Sequence, residues 1–263
     1  NVTASAEAGI DPNEPFDVSP YAHAVYKFFL RNPVCQEMGR KFKIAFSSSD
    51  VDTALTYIHD LGFIPKVKDG VHGFKVLLGG GLGSQPRHAD VVYDFLETEH
   101  IIPFIESVLR IFDRHGERAK RMKARMKFLI SEIGLDAFLQ LVEEEKRALS
   151  IPVHPISTDG FDVDFSSVGQ LIPEIVITDA DDYKKWVETN VIRQKQKGFY
   201  AIGIKVKLGD FYTDKARLLA KLVKDYAADE IRLTLRQNIL IRHVRAELLP
   251  LFYSELKKLG FTE

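Results

Sequence analysis

The order of periodic segments in the last third of the chain is the feature that most limits the fold. Apolar side chains recur at every second position from Tyr200 to Val206, which predicts a strand within 198–208. The segments that follow are a predicted amphipathic helix at 213–227, a hairpin of 231–235 with 239–243, and a closing helix at 245–259. This β-α-β-β-α order predicts a split-βαβ, ferredoxin-like unit.

The part of the chain before residue 150 mixes strands and helices. Residues 1–18 are interpreted as an irregular lead-in, and Ser19-Pro20 opens a helix that Asn32-Pro33 ends. The predicted strands are 41–46, 63–67 and 74–78, with a turn at 68–70 between the last two. The pattern is helical from His88 to Leu149, and residues 150–172, rich in Pro, Gly, Ser and Asp, predict a linker.

Two lysines alternate with apolar residues in the stretch GRKFKIAFSSSD, Gly39 to Asp50. On a strand, Lys41 and Lys43 share one face with their Cα atoms about 6.5–7 Å apart. The like charges repel unless an anion neutralises them, and Arg40 adds a third cation. One interpretation is an edge strand that uses lysines to block aggregation; the other is an anion pocket.

Four glycines follow the strand predicted at 74–78, namely Gly79, Gly80, Gly81 and Gly83. The dinucleotide fingerprint fails because Ser84 stands where the third glycine is required, and no Gly-Lys-Ser/Thr follows to make a phosphate loop. A tight turn would not need four glycines. We therefore interpret the run as backbone passing close to a flat, bulky ligand.

Two other groups of charges leave alternatives open. Seven Lys and Arg residues crowd 114–127, and Arg118, Arg121 and Arg125 are spaced to share one helix face. This face is either solvated or binds a ligand. In the predicted hairpin, Arg232, Thr234 and Arg236 share a strand face, beside Gln237 and Asn238, which fits a polar ligand or a plain surface.

Composition excludes several classes of function. The formal net charge is −1, which gives no general attraction to nucleic acid or to an anionic membrane, and no apolar run is long enough to span one. Cys35 is the only cysteine, and the eight histidines show no metal-binding spacing. No nucleophile–base pair is evident. We expect a cytoplasmic location and, since the first residue is Asn1, a piece of a longer polypeptide.

The motifs together resemble a known family. The lead-in Ala8–Pro12, the Arg40-Lys41-Phe42-Lys43 strand, His59-Asp60, the Gly79–Gly83 loop, Gly116-Glu117-Arg118 and Thr234-x-Arg236-Gln237-Asn238 resemble the central segment of the siroheme-dependent sulfite and nitrite reductases. The resemblance covers nearly all of the chain. Its most specific part is Arg-Lys-x-Lys followed at the right distance by the triple glycine.

The resemblance implies an α+β fold and a reaction. These hemoproteins carry out six-electron reduction at a siroheme iron bridged to a [4Fe-4S] cluster, and pair ferredoxin-like units with larger α/β domains. By this analogy residues 1–155 form the first siroheme-binding α/β domain, 156–172 a linker and 173–263 the second ferredoxin-like half-domain. The cluster cysteines, and the N- and C-terminal parts of the enzyme, are expected outside this segment, which alone is expected to be inactive.

The resemblance also implies residue roles. Lys41 and Lys43 would bind the oxyanion and assist proton delivery, while Arg40, Gly79, Gly80, Gly81, Arg236, Gln237 and Asn238 would contact the cofactor. Nitrite-selective relatives commonly have Asn at the second lysine, so Lys43 favours sulfite and an assimilatory sulfite reductase over a nitrite reductase. The implied electron donor is a ferredoxin or a flavoprotein reductase.

Two other hypotheses remain beside this one. The chain could be a non-catalytic anion- or tetrapyrrole-binding module that kept the fold. A nicotinamide oxidoreductase built on the glycine loop is more distant and would require binding of a dinucleotide.

Overall fold

The structure, a computed structural model, describes residues 1–164, 168–169, 171–228 and 230–263. It divides into two units, the first made of 1–9 and 13–161 and the second of 10–12 and 162–263. Residues 165–167 and 170 of the predicted linker lie outside the described residues. The domain limits expected at 155 and 173 stay a proposal. Among the helices of the described ranges, none combines the length and apolar character needed to cross a membrane.

A five-stranded mixed sheet forms the centre of the first unit. Its strands follow chain order across the sheet: β1 (Val2–Ala4), β2 (Ile44–Phe46), β3 (Leu61–Lys68), β4 (Val71–Leu78) and β5 (Asp90–Glu97). β1, β2 and β3 are parallel to one another, whereas β4 is antiparallel to β3 and to β5. The β3–β4 hairpin turns at Asp69 and Gly70, both with positive φ (51° and 79°), as a two-residue turn requires.

Four helices accompany this sheet. They are α1 (Ser19–Phe29), α2 (Ile101–His115), α3 (Met126–Ile133) and α4 (Leu135–Arg147). Apolar side chains of α2, α3 and α4, among them Val108, Met126 and Phe138, are buried and join the same core as the sheet. In that core Phe46 stacks on Phe63 with ring centroids 4.7 Å apart. Gly134 ends α3 with a φ of 86°, a value that a residue with a side chain rarely adopts.

Several local predictions for the first unit are wrong. β1 lies in the predicted lead-in, because three residues are too few to show a period. β5 replaces the start of the predicted helical region; both faces of β5 are partly exposed, which hides the alternation. β2 begins only at Ile44, so 41–43 precede the strand.

The second unit has the predicted β-α-β-β-α order. It begins with α5 (Ala180–Asn190) and β6 (Val191–Arg193), two elements that were not predicted from the sequence. They are followed by β7 (Phe199–Ile204), α6 (Thr213–Tyr226), β8 (Ile231–Leu233), β9 (Ile239–Arg245) and α7 (Leu249–Leu259). The sheet order is β6-β7-β9-β8, with every neighbouring pair antiparallel. β7 and β8 therefore run parallel with β9 between them, which confirms the split-βαβ arrangement and the α+β class.

Candidate anion and cofactor site

A pocket of ≈ 340 Å³ lies where the stretch before β2, the loop after the glycine run and the start of α3 meet. Its wall is made of Arg40, Lys41, Lys43, Ile58, His59, Leu82, Gly83, Ser84, Arg121, Met122, Arg125, Lys127 and Phe128. Six of these residues are Lys or Arg, and none of the wall residues is acidic. Such a wall attracts anions.

Lys41 and Lys43 lie on this wall together. Phe42 between them is buried and packs against Phe112, with ring centroids 5.9 Å apart, so it anchors the stretch in the core. Neither lysine forms an ion pair with any described residue. β2 lies between β1 and β3, which makes the edge-strand interpretation of the two lysines wrong. The anion-pocket interpretation is the one that this geometry supports.

Asp60 fixes the backbone of the stretch 40–43 by a hydrogen bond. Its side chain is fully buried, and its Oδ2 accepts a hydrogen bond from the Lys43 backbone N–H at 3.0 Å. Its Oδ1 accepts from Nε and Nη2 of Arg125, at 3.1 and 2.8 Å. Burial raises the pKa of Asp60, and the Arg125 charge opposes that rise. Asp60 therefore holds Lys43 and the start of α3 together through the Lys43 backbone, which leaves the Lys43 side chain available to the pocket.

Arg125 and Lys127 belong to the basic run but do not form a solvated helix face. Residues 116–125 are not a continuous helix; they contain only the short 3₁₀ turn Arg121–Lys123. Lys127 is 3% exposed, and its Nζ donates to the carbonyl oxygens of Leu82, at 3.0 Å, and Gln85. Burial, then the Arg125 charge, lowers the pKa of Lys127. The Lys127 ammonium therefore holds the loop 82–85, which contributes Leu82, Gly83 and Ser84 to the pocket wall.

The other two arginines of the predicted helix face, Arg118 and Arg121, make different contacts. Arg118 forms an ion pair with Asp113 and donates to the Glu37 carbonyl at 3.1 Å, so its role is structural. Arg121 is exposed and lines the pocket. The helical spacing of the three arginines therefore does not place them on one shared surface.

His59 is the wall residue that ordinarily titrates near neutral pH. Its Nδ1 lies 2.8 Å from the Leu55 carbonyl oxygen. A carbonyl only accepts, so Nδ1 carries the proton and Nε2 is the basic nitrogen. Burial lowers the pKa of His59, and the charge of Lys43 lowers it further. The ring is therefore neutral at pH 7.

Contacts within this chain explain why several positions of the glycine run carry no side chain. A Cβ on Gly80 would lie 2.4 Å from the Tyr57 carbonyl oxygen and 2.6 Å from that of His59. One on Gly79, where φ is 86°, would meet Arg87 and Ile130 within 2.8 Å. Gly81 faces Nη2 of Arg125 at 3.0 Å. Packing within the chain thus accounts for Gly79 and Gly80, and contact of Gly79, Gly80 and Gly81 with a cofactor remains a prediction.

The continuation of the glycine loop does reach the pocket. Gly83 has a φ of 110° and open space where a Cβ would stand. Leu82, 59% exposed, and Met122, 76% exposed, present apolar surface on the same wall as the cations. Cationic and apolar groups side by side suit a ligand that is flat, apolar and acidic at its edge.

Arg236, Gln237 and Asn238 lie in the second unit, in the turn between β8 and β9. β8 ends at Leu233, so the expected strand face shared with Arg236 is wrong. Oδ1 of Asn238 accepts from the Val206 N–H at 3.0 Å, which gives this side chain a partner inside the fold. Gln237 has a φ of 61°, and both Arg236 and Gln237 are exposed. Contact of these three residues with a cofactor remains a prediction.

Comparisons with known proteins agree with these two units. Residues 1–148 match the family model described as "Nitrite and sulphite reductase 4Fe-4S domain", and residues 192–259 match "Nitrite/Sulfite reductase ferredoxin-like half domain". The chloroplastic ferredoxin–nitrite reductase of Oryza sativa is 30% identical over 97% of this chain and 40% of its own length. The ferredoxin–nitrite reductase of Synechococcus elongatus is 29% identical over 97% of this chain and 46% of its own length.

The fold also resembles a solved structure. The Mycobacterium tuberculosis NirA protein superposes with a TM-score of 0.77 at 24% identity, covering 100% of this chain and 44% of that one. This likeness concerns the fold alone. The chain thus spans less than half the length of each of these proteins.

Proposed function

Because this chain belongs to the nitrite and sulphite reductase family, we propose that it forms part of a reductase that uses siroheme and a [4Fe-4S] cluster, the cofactors of that family. The proposed reaction is the six-electron reduction of a small oxyanion, with sulfite to sulfide as the preferred case. The observation that carries the proposal is the pocket wall itself: Lys41 and Lys43 face a cavity with several other cations and no acid.

The residues of this wall fit siroheme. Nε of Arg40 is buried without a hydrogen-bond partner among the described residues, so its N–H can donate to a ligand carboxylate. Leu82 and Met122 offer the apolar contact that a macrocycle needs. When bound, siroheme would supply the redox-active iron.

The residues do not fit the cluster. A [4Fe-4S] cluster is held by four thiolates, and the chain has one cysteine, Cys35. Cys35 is not part of this pocket wall. We propose that the cluster ligands belong to the portion of the relatives' length that this chain does not span.

The two ammonium groups have two tasks in this proposal. As the oxyanion loses each oxygen, negative charge develops on the departing atom, and Nζ of Lys41 and Lys43 stabilises it by donating hydrogen bonds. Each oxygen leaves as water and takes up two protons, which these ammonium groups can deliver. Asp60 binds the Lys43 backbone N–H, and the buried Phe42 lies between the two lysines in the chain, so together they keep both ammonium groups in place.

Charge at Lys43 supports sulfite as the preferred substrate. Two adjacent ammonium groups stabilise a dianion more than a monoanion, and sulfite can carry two charges where nitrite carries one. Nitrite is the second candidate, since the relatives named above are nitrite reductases. Their names also support ferredoxin as the electron donor. A cytoplasmic location stays a proposal, and the plant relative is described as chloroplastic.

Purified full-length protein tests this proposal. We expect a siroheme absorption spectrum, reduction of both anions with reduced ferredoxin, and a higher kcat/KM for sulfite. Replacing Lys43 by Asn should shift the ratio of the two kcat/KM values toward nitrite. Lys123→Asn is the matched control, because Lys123 is exposed and is not part of the pocket wall. A protein that binds the anions but no siroheme would instead support the non-catalytic module.

A further inference from the structure

We infer that His59 returns a proton to Lys43 after Lys43 has given one to the bound oxyanion, an inference that rests on the proposed function. His59 and Lys43 lie on the same pocket wall. Since the reaction consumes several protons, each donor must be recharged between steps. The other basic side chains of the wall are Lys and Arg, so His59 is the wall residue of the type that ordinarily takes up and releases protons near neutral pH.

The hydrogen bonds of His59 leave one nitrogen for this task. Nδ1–H donates to the Leu55 carbonyl, 2.8 Å away, and this fixes the ring. Nε2 is then the nitrogen that can take a proton from water in the pocket. The ring is only 9% exposed, so exchange takes place through the pocket rather than from bulk solvent on every side.

The charge of Lys43 determines when His59 can bind a proton. While Lys43 is an ammonium, its charge and the burial of the ring together keep His59 neutral. Once Lys43 has lost its proton, that repulsion ends and the proton affinity of His59 rises. Nε2 then binds a proton from pocket water and passes it to Nζ of Lys43. Lysine is the stronger base, so the transfer is downhill. No electron moves, and His59 ends neutral.

Other charges act on His59 as well. Asp60 and Asp52 favour its protonated form, and their effect is smaller than that of burial. The remaining cations of the wall, which oppose protonation, are Arg40, Lys41, Arg121, Arg125 and Lys127. Both Lys41 and Lys43 give up protons in the proposed reaction; the charge of Lys43 acts on the pKa of His59, so Lys43 is the lysine that couples to His59 in time.

Anion binding tests the coupling without turnover. Nitrite is a suitable probe, since nitrous acid is much stronger than imidazolium and nitrite keeps one charge between about pH 5 and 8. Nitrite titrations of oxidised full-length holoprotein, followed by siroheme absorption, should show affinity rising as the pH falls below the ordinary histidine range, because the pKa of His59 is lowered. His59→Asn should remove this rise, although Asn can still donate to the Leu55 carbonyl. Lys43→Met should move the rise to higher pH.

Turnover tests the relay. His59→Asn should lower kcat about tenfold at neutral pH, with KM changed less than about twofold, and added imidazole should restore part of the rate. His115→Asn, an exposed histidine of the same unit, is the matched control. An unchanged kcat and pH profile in His59→Asn, or an inflection that Lys43→Met does not move, overturns the relay alone. A wild type without siroheme or turnover overturns the proposed function too.

Discussion

Two polar segments singled out by the sequence, 40–43 in the first unit and 236–238 in the second, are used differently by the fold. In the first, Asp60 binds the Lys43 backbone and Phe42 is buried, while neither lysine ammonium group pairs with an acid in the part of the chain that the structure describes. In the second, the Asn238 side chain binds the Val206 N–H and so closes the turn. A polar side chain indicates a ligand when the fold holds its backbone and leaves its charged end unpaired. Four predictions test this difference.

The largest expected effect is at Asp60. Asp60→Ala leaves the Arg125 guanidinium, 13% exposed, without its buried partner, which should cost about 3–5 kcal/mol of unfolding free energy. Urea unfolding of the full-length protein measures it. Asp50→Ala is the control: Asp50 is 71% exposed and pairs with Lys66 at the surface, so its loss should cost about 0–1 kcal/mol. Equal losses in the two variants would contradict a role for Asp60 as the anchor of the pocket.

Acid should destabilise the second unit through His243. Burial, then the charges of Arg242 and Arg232, lowers the pKa of His243 to about 4. A lowered folded-state pKa gives stability that is present above the unfolded value near 6.5 and lost as the pH falls toward 4. The loss should be roughly 3 kcal/mol between those limits. Urea unfolding across this range, with His243→Asn, checks it; Asn tolerates the local φ of 60°. The exposed His72, replaced by Asn, should leave the pH dependence unchanged.

Activity should depend on Lys43 far more than stability does. Lys43→Met should lower kcat/KM for sulfite by about 10²-fold, in the range of a lost electrostatic donor. The unfolding free energy should change little, because the backbone bond to Asp60 does not need the side chain. Lys123→Met should leave both quantities as in wild type. A large stability loss with unchanged kcat/KM would show that the lysine serves the fold.

The smallest effect is expected at the turn. Asn238→Ala removes the bond to Val206 and should cost about 1–2 kcal/mol of unfolding free energy, with kcat/KM unchanged once folded. Thermal unfolding and steady-state kinetics on the same preparation measure both. A lower siroheme content in Asn238→Ala than in wild type, with an unchanged unfolding free energy, would support a role of Asn238 in cofactor binding. It would contradict the difference drawn here between segments 40–43 and 236–238.

The sequence predicted the parts of this protein that depend on local pattern. The β-α-β-β-α order, the β3–β4 hairpin and the helical region that contains α2 follow from periodicity and turn residues that lie close together in the chain. The lysine pair was also visible, since both residues and their spacing fall within a few positions.

What the sequence missed depends on contacts between distant positions. The partner of Arg125 is Asp60, 65 residues away, and nothing in the basic run marks Arg125 as different from Arg118. Lys127 holds a loop more than 40 residues before it. Gly80 is explained by the carbonyls of Tyr57 and His59, and Gly79 by Arg87 and Ile130, which come close only in the folded chain.

The most direct test of the central claim is the visible absorption spectrum of the full-length protein, purified from cells supplied with iron, beside that of its Lys41→Met/Lys43→Met double variant. We expect a siroheme spectrum in wild type that shifts when sulfite is added, and a double variant that no longer responds to sulfite. A colourless wild type, or a double variant whose siroheme responds to sulfite with the same affinity, would contradict the claim that this cationic wall binds the oxyanion beside siroheme.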